Sequence, residues 1–113
     1  MTLQEKQIMF ASNISLLLCK IFGTNQYAIT FGEAERSPEQ AEIYAKEGKG
    51  ISDSLHCKRL AIDLNLFKDG VYLTDYADYK IFGDYWKALH PFNRWGGDFH
   101  TLVDSNHFEM QDL

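Results

Sequence analysis

Three things that often announce a function are scarce in this chain. Only two of its 113 residues are cysteine, too few for a disulfide scaffold. One of them, Cys19, lies in the apolar segment ISLLLCKIF and is expected as a small buried thiol. Positive charge is the second shortage. Eleven Lys and Arg stand against 16 Asp and Glu, a net charge of -5, and no basic cluster offsets it. That excludes the phosphate-binding footprint of a nucleic-acid partner. Long hydrophobic runs are the third: stretches such as LLLC fall far short of the ~20 residues that a membrane span requires. The opening MTLQEKQIMFASNISLLLCKIF has early charges of both signs and is interrupted by Ser12, Asn13 and Ser15. It reads as an amphipathic helix and not as a secretory signal. The expectation is a protein made in the cytoplasm, with no stable membrane association.

What is present is a core. A hydrophobic content of 45% with 14% aromatic residues suits one packed domain over residues 1–113, without repeats or low-complexity tracts. A first helix is expected over residues 3–21, stopping at Gly23. YAITFGEAE reads as a short strand. RSPEQAEIYAKEG is a helix with Ser37 as N-cap, Pro38 in the first position and Gly48 as its stop. KGISDS is a polar loop. LAIDLNLF is a strand that turns at KDG and returns as VYLT. DYADYKIFGDYWKALH has helical spacing interrupted by Gly83, PFNRWGGDF reads as a loop, and HFEM is a closing strand. The order implies an α+β fold, with helices packed on a small antiparallel sheet.

Chemistry concentrates in two places. In SLHCKRLAID, Leu60, Ile62, Leu64 and Leu66 alternate with Ala61, Asp63 and Asn65, the period of a half-buried strand. Asp63 therefore faces away from the leucines, and Ala61 leaves room beside it. His56 and Asp63 are separated by an odd interval, so a continuous strand would put them on opposite faces. A turn at CKR allows them to converge. In VDSNHFEM, Asp104 and His107 flank Ser105 and Asn106, and a β-turn brings such a pair within about 7 Å. Zinc takes imidazole nitrogen and carboxylate oxygen, and a catalytic site uses three protein ligands with one position open to water. One residue of the pair would bind the ion and the other would stand over that water. The same four residues also make an ordinary turn, capped by Asp104 through its own backbone, and spacing alone leaves both readings open. His90 looks like helix-end punctuation. His100 has no partner at ligand spacing, and Cys57, adjacent to His56, would point away from it.

The motifs together are more specific than any one of them. Ser-x-His, an Ala-x-Asp strand, a Trp-Gly-Gly-Asp loop, and an acid three residues before a final histidine followed by Phe-Glu all stand here in order, in SLHCKRLAIDLNLF and WGGDFHTLVDSNHFEM. This pattern resembles the peptidoglycan peptidases of the D-alanyl-D-alanine carboxypeptidase (VanY-like) superfamily, and most of all their phage-lysin branch, the L-alanyl-D-glutamate endopeptidases. The resemblance runs over residues 36–109. It implies a zinc site at the edge of the sheet or in a cleft, with His56, Asp63 and His107 as ligands and Asp104 as catalytic acid/base. It also implies that Arg36 binds a substrate carboxylate or steadies the oxyanion, and that Ser54 makes a substrate or supporting hydrogen bond. Trp95 and Asp98, from the Trp-Gly-Gly-Asp loop, would shape one wall of the cleft. Two departures stand out. Arg59 occupies a position where the family often has glycine, and AERSPEQ replaces the family's YRTPEEQ, with Glu35 in place of an aromatic.

The implied activity is zinc-dependent cleavage of the L-Ala–D-Glu bond in the peptidoglycan stem peptide. The agent would be a monomeric endolysin held in the host cytoplasm until a membrane pore releases it onto the wall. A D-Ala-D-Ala carboxypeptidase is the alternative with the same ion, and a non-catalytic, zinc-containing wall-binding domain is the alternative without turnover.

Overall fold

The computed structural model describes residues 1–51 and 54–113. The loop expected over KGISDS includes Ser52 and Asp53, which lie outside the described residues.

Helix α1 (Leu3–Phe22) starts with a capping box: the Thr2 hydroxyl accepts from the Glu5 N–H, and the Glu5 carboxylate accepts from the Thr2 N–H, both at 3.1 Å. Phe10, Ile14, Leu17 and Ile21 recur at helical spacing and form its buried stripe. Cys19 falls off that stripe and is exposed, which corrects the expectation of a buried thiol. An apolar neighbourhood in sequence did not place it on the inward face.

Strand β1 (Tyr27–Phe31) leads to α2 (Pro38–Lys46), where Ser37 caps by accepting from the Gln40 N–H. A single 3-10 turn, Leu55–Lys58, precedes β2 (Ala61–Lys68). The return strand β3 (Val71–Tyr72) follows a turn in which Asp69 and Gly70 both have positive φ, 50° and 82°, the two-residue hairpin geometry. Helix α3 (Tyr76–Leu89) runs unbroken through Gly83. A Cβ at that glycine would lie 2.2 Å from the Trp95 ring, so Gly83 makes a seat for an aromatic side chain and does not interrupt the helix. PFNRWGGDF is likewise more than a loop. Asn93–Trp95 form β4, which pairs with β5 (His107–Met110). Three residues are too few to show an alternation.

The fold is α+β, as expected. The sheet is antiparallel, in the order β1-β2-β5-β4, with β3 added alongside β2. Leu60, Ile62, Leu64 and Leu66 point with Phe108 and Met110 into the core beneath α1 and α3. The opposite face of the same strands presents Ala61 and Asp63 on β2, His107 and Glu109 on β5, and Arg94 on β4. The two inner strands thus put the apolar residues on one side and the chemistry on the other. No described helix is long and apolar enough to cross a membrane.

Candidate active site

Each of the three prospective ligands is placed by a local device. His56 sits in the 3-10 turn, where the Ser54 hydroxyl accepts from its backbone N–H at 3.2 Å. Arg59 then adopts the left-handed conformation, φ 55° and ψ 38°, and redirects the chain into β2. This is the break that lets His56 and Asp63 converge. It also accounts for glycine at this position in the resembling sequences, since an L residue is strained there. The Arg36 N–H donates to the His56 carbonyl at 3.1 Å, fixing the segment ahead of α2 against the same turn.

Asp63 and His107 are register partners on β2 and β5. His107 also closes a turn with Asp104: its N–H donates to the Asp104 carbonyl at 3.1 Å, and the Asp104 N–H donates to Gly96 at 3.1 Å. A Cβ on Gly96 would meet that Asp104 carbonyl oxygen at 2.1 Å. Below the turn, the indole N–H of Trp95 donates to the Ser105 carbonyl at 2.7 Å.

One donor atom from each of His56, Asp63 and His107 lies within 4.8 Å of the others. His56 Nε2 is 3.4 Å from Asp63 Oδ1, and His107 Nδ1 is 3.3 Å from the same oxygen. Donors bonded at ~2.0–2.1 Å to a tetrahedral ion stand about 3.3–3.4 Å apart. Both imidazoles stand at that spacing from one carboxylate oxygen, and the three donors together could hold a divalent metal.

The charges agree with a site built for cations. Burial works against ionised Asp63, but His107 and His56 hold its pKa down to about 2. Burial also works against charged His107, yet Asp63 and Glu109 push it up to about 9. A metal ion would replace the proton that these carboxylates attract. Asp104 moves the other way. Desolvation and the negative charge of Asp63 raise its pKa, with His107, His56 and Arg36 opposing. The acid at the rim is therefore shifted toward its protonated form, opposite to Asp63, the direction that suits a group shuttling a proton.

The other expected site residues are placed as follows. The Arg36 side chain is largely buried. Its Nε donates to Glu33 Oε1 at 2.6 Å and its Nη2 pairs with the same oxygen. Tyr44 lies beneath the guanidinium, 4.9 Å from Cζ to the ring centroid. Ser54 is buried and serves as the cap of the His56 turn. Trp95 is fully buried, so it supports the Asp104–His107 turn from beneath. Asp98 is exposed and paired with Lys87 at 2.6 Å.

Three participants went unread in the sequence. Glu33 Oε1 stands 3.9 Å from His56 Nδ1 while holding Arg36. Glu109 Oε1 is 2.7 Å from His107 Nε2, and its Oε2 accepts from Arg94 Nε at 2.7 Å. A signal for Glu109 did exist, since residues two apart on a strand share a face. Arg94 had none once β4 read as a loop.

Side chains so arranged are those of a metal-dependent hydrolase. Residues 46–110 match the family described as D-alanyl-D-alanine carboxypeptidase, more than half of the chain, and the protein belongs to that peptidase family. Among solved structures it is similar to the Serratia marcescens L-Ala D-Glu endopeptidase ChiX, with a TM-score of 0.67 and 19% identity over 85% of this chain and 77% of that one. That likeness is one of fold. No curated protein matches the sequence.

Proposed function

We propose that this protein is a zinc-dependent peptidoglycan endopeptidase of the phage-lysin type, cutting the L-Ala–D-Glu bond of the stem peptide. The observation behind the proposal is the His56–Asp63–His107 donor set with Asp104, its pKa raised, on the adjoining turn. The choice of bond draws on the fold shared with the Serratia enzyme. Zinc held there would supply a Lewis acid for the scissile carbonyl and for water. Asp104 takes the proton of the attacking water and returns it to the leaving amine. Glu33 engages Nε and Nη2 of Arg36, which among the described residues leaves Nη1 for a substrate carboxylate or the oxyanion. We place the enzyme as a monomer in the host cytoplasm, acting on the wall once a membrane pore releases it.

The family description favours a second reading, a carboxypeptidase removing a terminal D-alanine with the same residues. Mass spectrometry of muropeptides, after digestion of purified peptidoglycan with zinc-loaded protein, separates the two. Free glutamate amino termini are expected. Loss of only the terminal alanine would reassign the bond. Asp104→Asn should retain zinc and lose turnover by about 10²–10⁴-fold, and undiminished activity would remove Asp104 as the base. Zinc binding without any cleavage by the wild type would leave a wall-binding domain.

A further inference from the structure

Resting on that metal site, we infer that Glu109, backed by Arg94, is a positioning residue that fixes the His107 imidazole with Nδ1 turned toward the metal. His107 and Glu109 lie two residues apart on β5, so both side chains rise from the same face. Side chains so spaced usually stand parallel, yet Glu109 Oε1 reaches His107 Nε2 at 2.7 Å. Room for this comes from Ala61, the register partner of Glu109 on β2, which is fully buried and ends at Cβ. On the other side, β4 sets Arg94 opposite Glu109, and its Nε donates to Oε2 at 2.7 Å.

A carboxylate only accepts hydrogen bonds, so its partner Nε2 must carry the hydrogen. Nδ1, 3.3 Å from Asp63 Oδ1, is then the nitrogen that would give up its proton and turn its lone pair to a metal. Rotation of the ring by half a turn would break the Glu109 bond and remove Nδ1 from the site. Arg94 occupies the second carboxylate oxygen and keeps Glu109 from turning away. Among the described residues the other imidazole has no such brace: buried His56 Nδ1 finds no hydrogen-bond partner there, and Glu33 stands 3.9 Å away, bonded to Arg36. His56 is held by its turn and its burial. His107 is held by a carboxylate.

The test compares wild type, Glu109→Gln and Arg94→Gln by zinc competition with a chelator. Beside it, proton NMR of the zinc-loaded proteins follows the downfield imidazole N–H that a carboxylate partner produces. Glutamine keeps the shape but can equally turn an amide N–H toward Nε2. Glu109→Gln is expected to weaken zinc binding by ~10–100-fold and to move or erase the downfield resonance. Arg94→Gln should weaken binding less and shift the same resonance. If wild type binds no zinc, the metal reading fails and this inference falls with it. If wild type binds and folded Glu109→Gln binds equally well with its resonance unmoved, the positioning role is overturned while the metal site stands. Should Glu109→Gln fail to fold, Arg94→Gln decides, because its side chain is half-exposed. Unchanged affinity and resonance there would overturn the proposal, and a loss of both would support it.

Discussion

Asp63 and His107 stand directly opposite each other on β2 and β5, and their backbones do not bond to one another. Asp63 gives its N–H to Glu33 at 2.9 Å and accepts from Gly32 at 2.8 Å, so both its backbone groups serve the other side of the strand. A pair of this kind brings cross-strand side chains closest. The contact between Asp63 Oδ1 and His107 Nδ1 is thus set by the ladder itself.

Removing Asp63 should therefore empty the site of function without unfolding the sheet, because the core-facing Ile62 and Leu64 are untouched. Asp63→Ala is expected to weaken zinc by at least ~100-fold, the upper end of what loss of a supporting partner alone produces. In metal-free protein it should lower the His107 pKa from about 9, since Asp63 is one of the two carboxylates that raise it. Chelator competition and an NMR titration check both. An unchanged His107 titration would mean that the ion pair does not form in solution.

The placement of the prospective ligands was legible in sequence from local signals, while their role came from the family resemblance. The alternation from Leu60 placed Asp63 on the face away from the core, and the interval between Asp104 and His107 fitted a turn. Both hold in the structure. What escaped depends on strands meeting from far apart. Arg94 reaches Glu109 only because β4 pairs with β5, and a three-residue strand has no readable period. Glu33 meets His56 only because the chain folds back ahead of α2. Cys19 and Gly83 failed for a different reason. Residue type suggested burial for one and a helix break for the other, whereas helix phase and the Trp95 ring decided both.

Arg59 holds a left-handed backbone that favours glycine. Relief of that strain is worth ~1–2 kcal/mol, and the greater freedom of glycine in the unfolded chain offsets part of it. Arg59→Gly should stabilise the protein by up to ~1 kcal/mol, read as a higher urea midpoint at unchanged slope. Zinc affinity should stay the same, since His56 keeps its cap from Ser54. A lower midpoint would show that the arginine makes a compensating contact.

Gly96 stands against the turn that bears Asp104 and His107, with no space for a Cβ. The nearest obstacle is backbone, so Gly96→Ala must push the turn outward. We expect destabilisation of ~1–3 kcal/mol together with a loss of peptidase activity of ~100-fold, a size that a misplacement of about 1 Å can produce. Activity measured well below the unfolding midpoint separates the two effects. Full activity in a destabilised variant would mean that the turn yields without moving its acid.

Near the C-terminus, Asp112 ties α1 to the turn of His56. Its carboxylate accepts from buried Lys6 at 2.6 Å and pairs with Lys58, the last residue of that turn. Hydrogen bonds from Lys58 and Lys6 hold its pKa down to about 2, below the ordinary carboxyl value of 3.8. A carboxyl depressed on folding adds stability that is complete above its unfolded pKa and is lost as pH falls through the folded one. The difference in unfolding free energy between wild type and Asp112→Asn should therefore be constant above about pH 5 and close as the pH falls toward about 2. Urea titrations across that range measure it. A difference that persists undiminished at the acid end would mean that the carboxylate's charge is not what holds the two lysines, and that the tie between α1 and the His56 turn rests on packing alone.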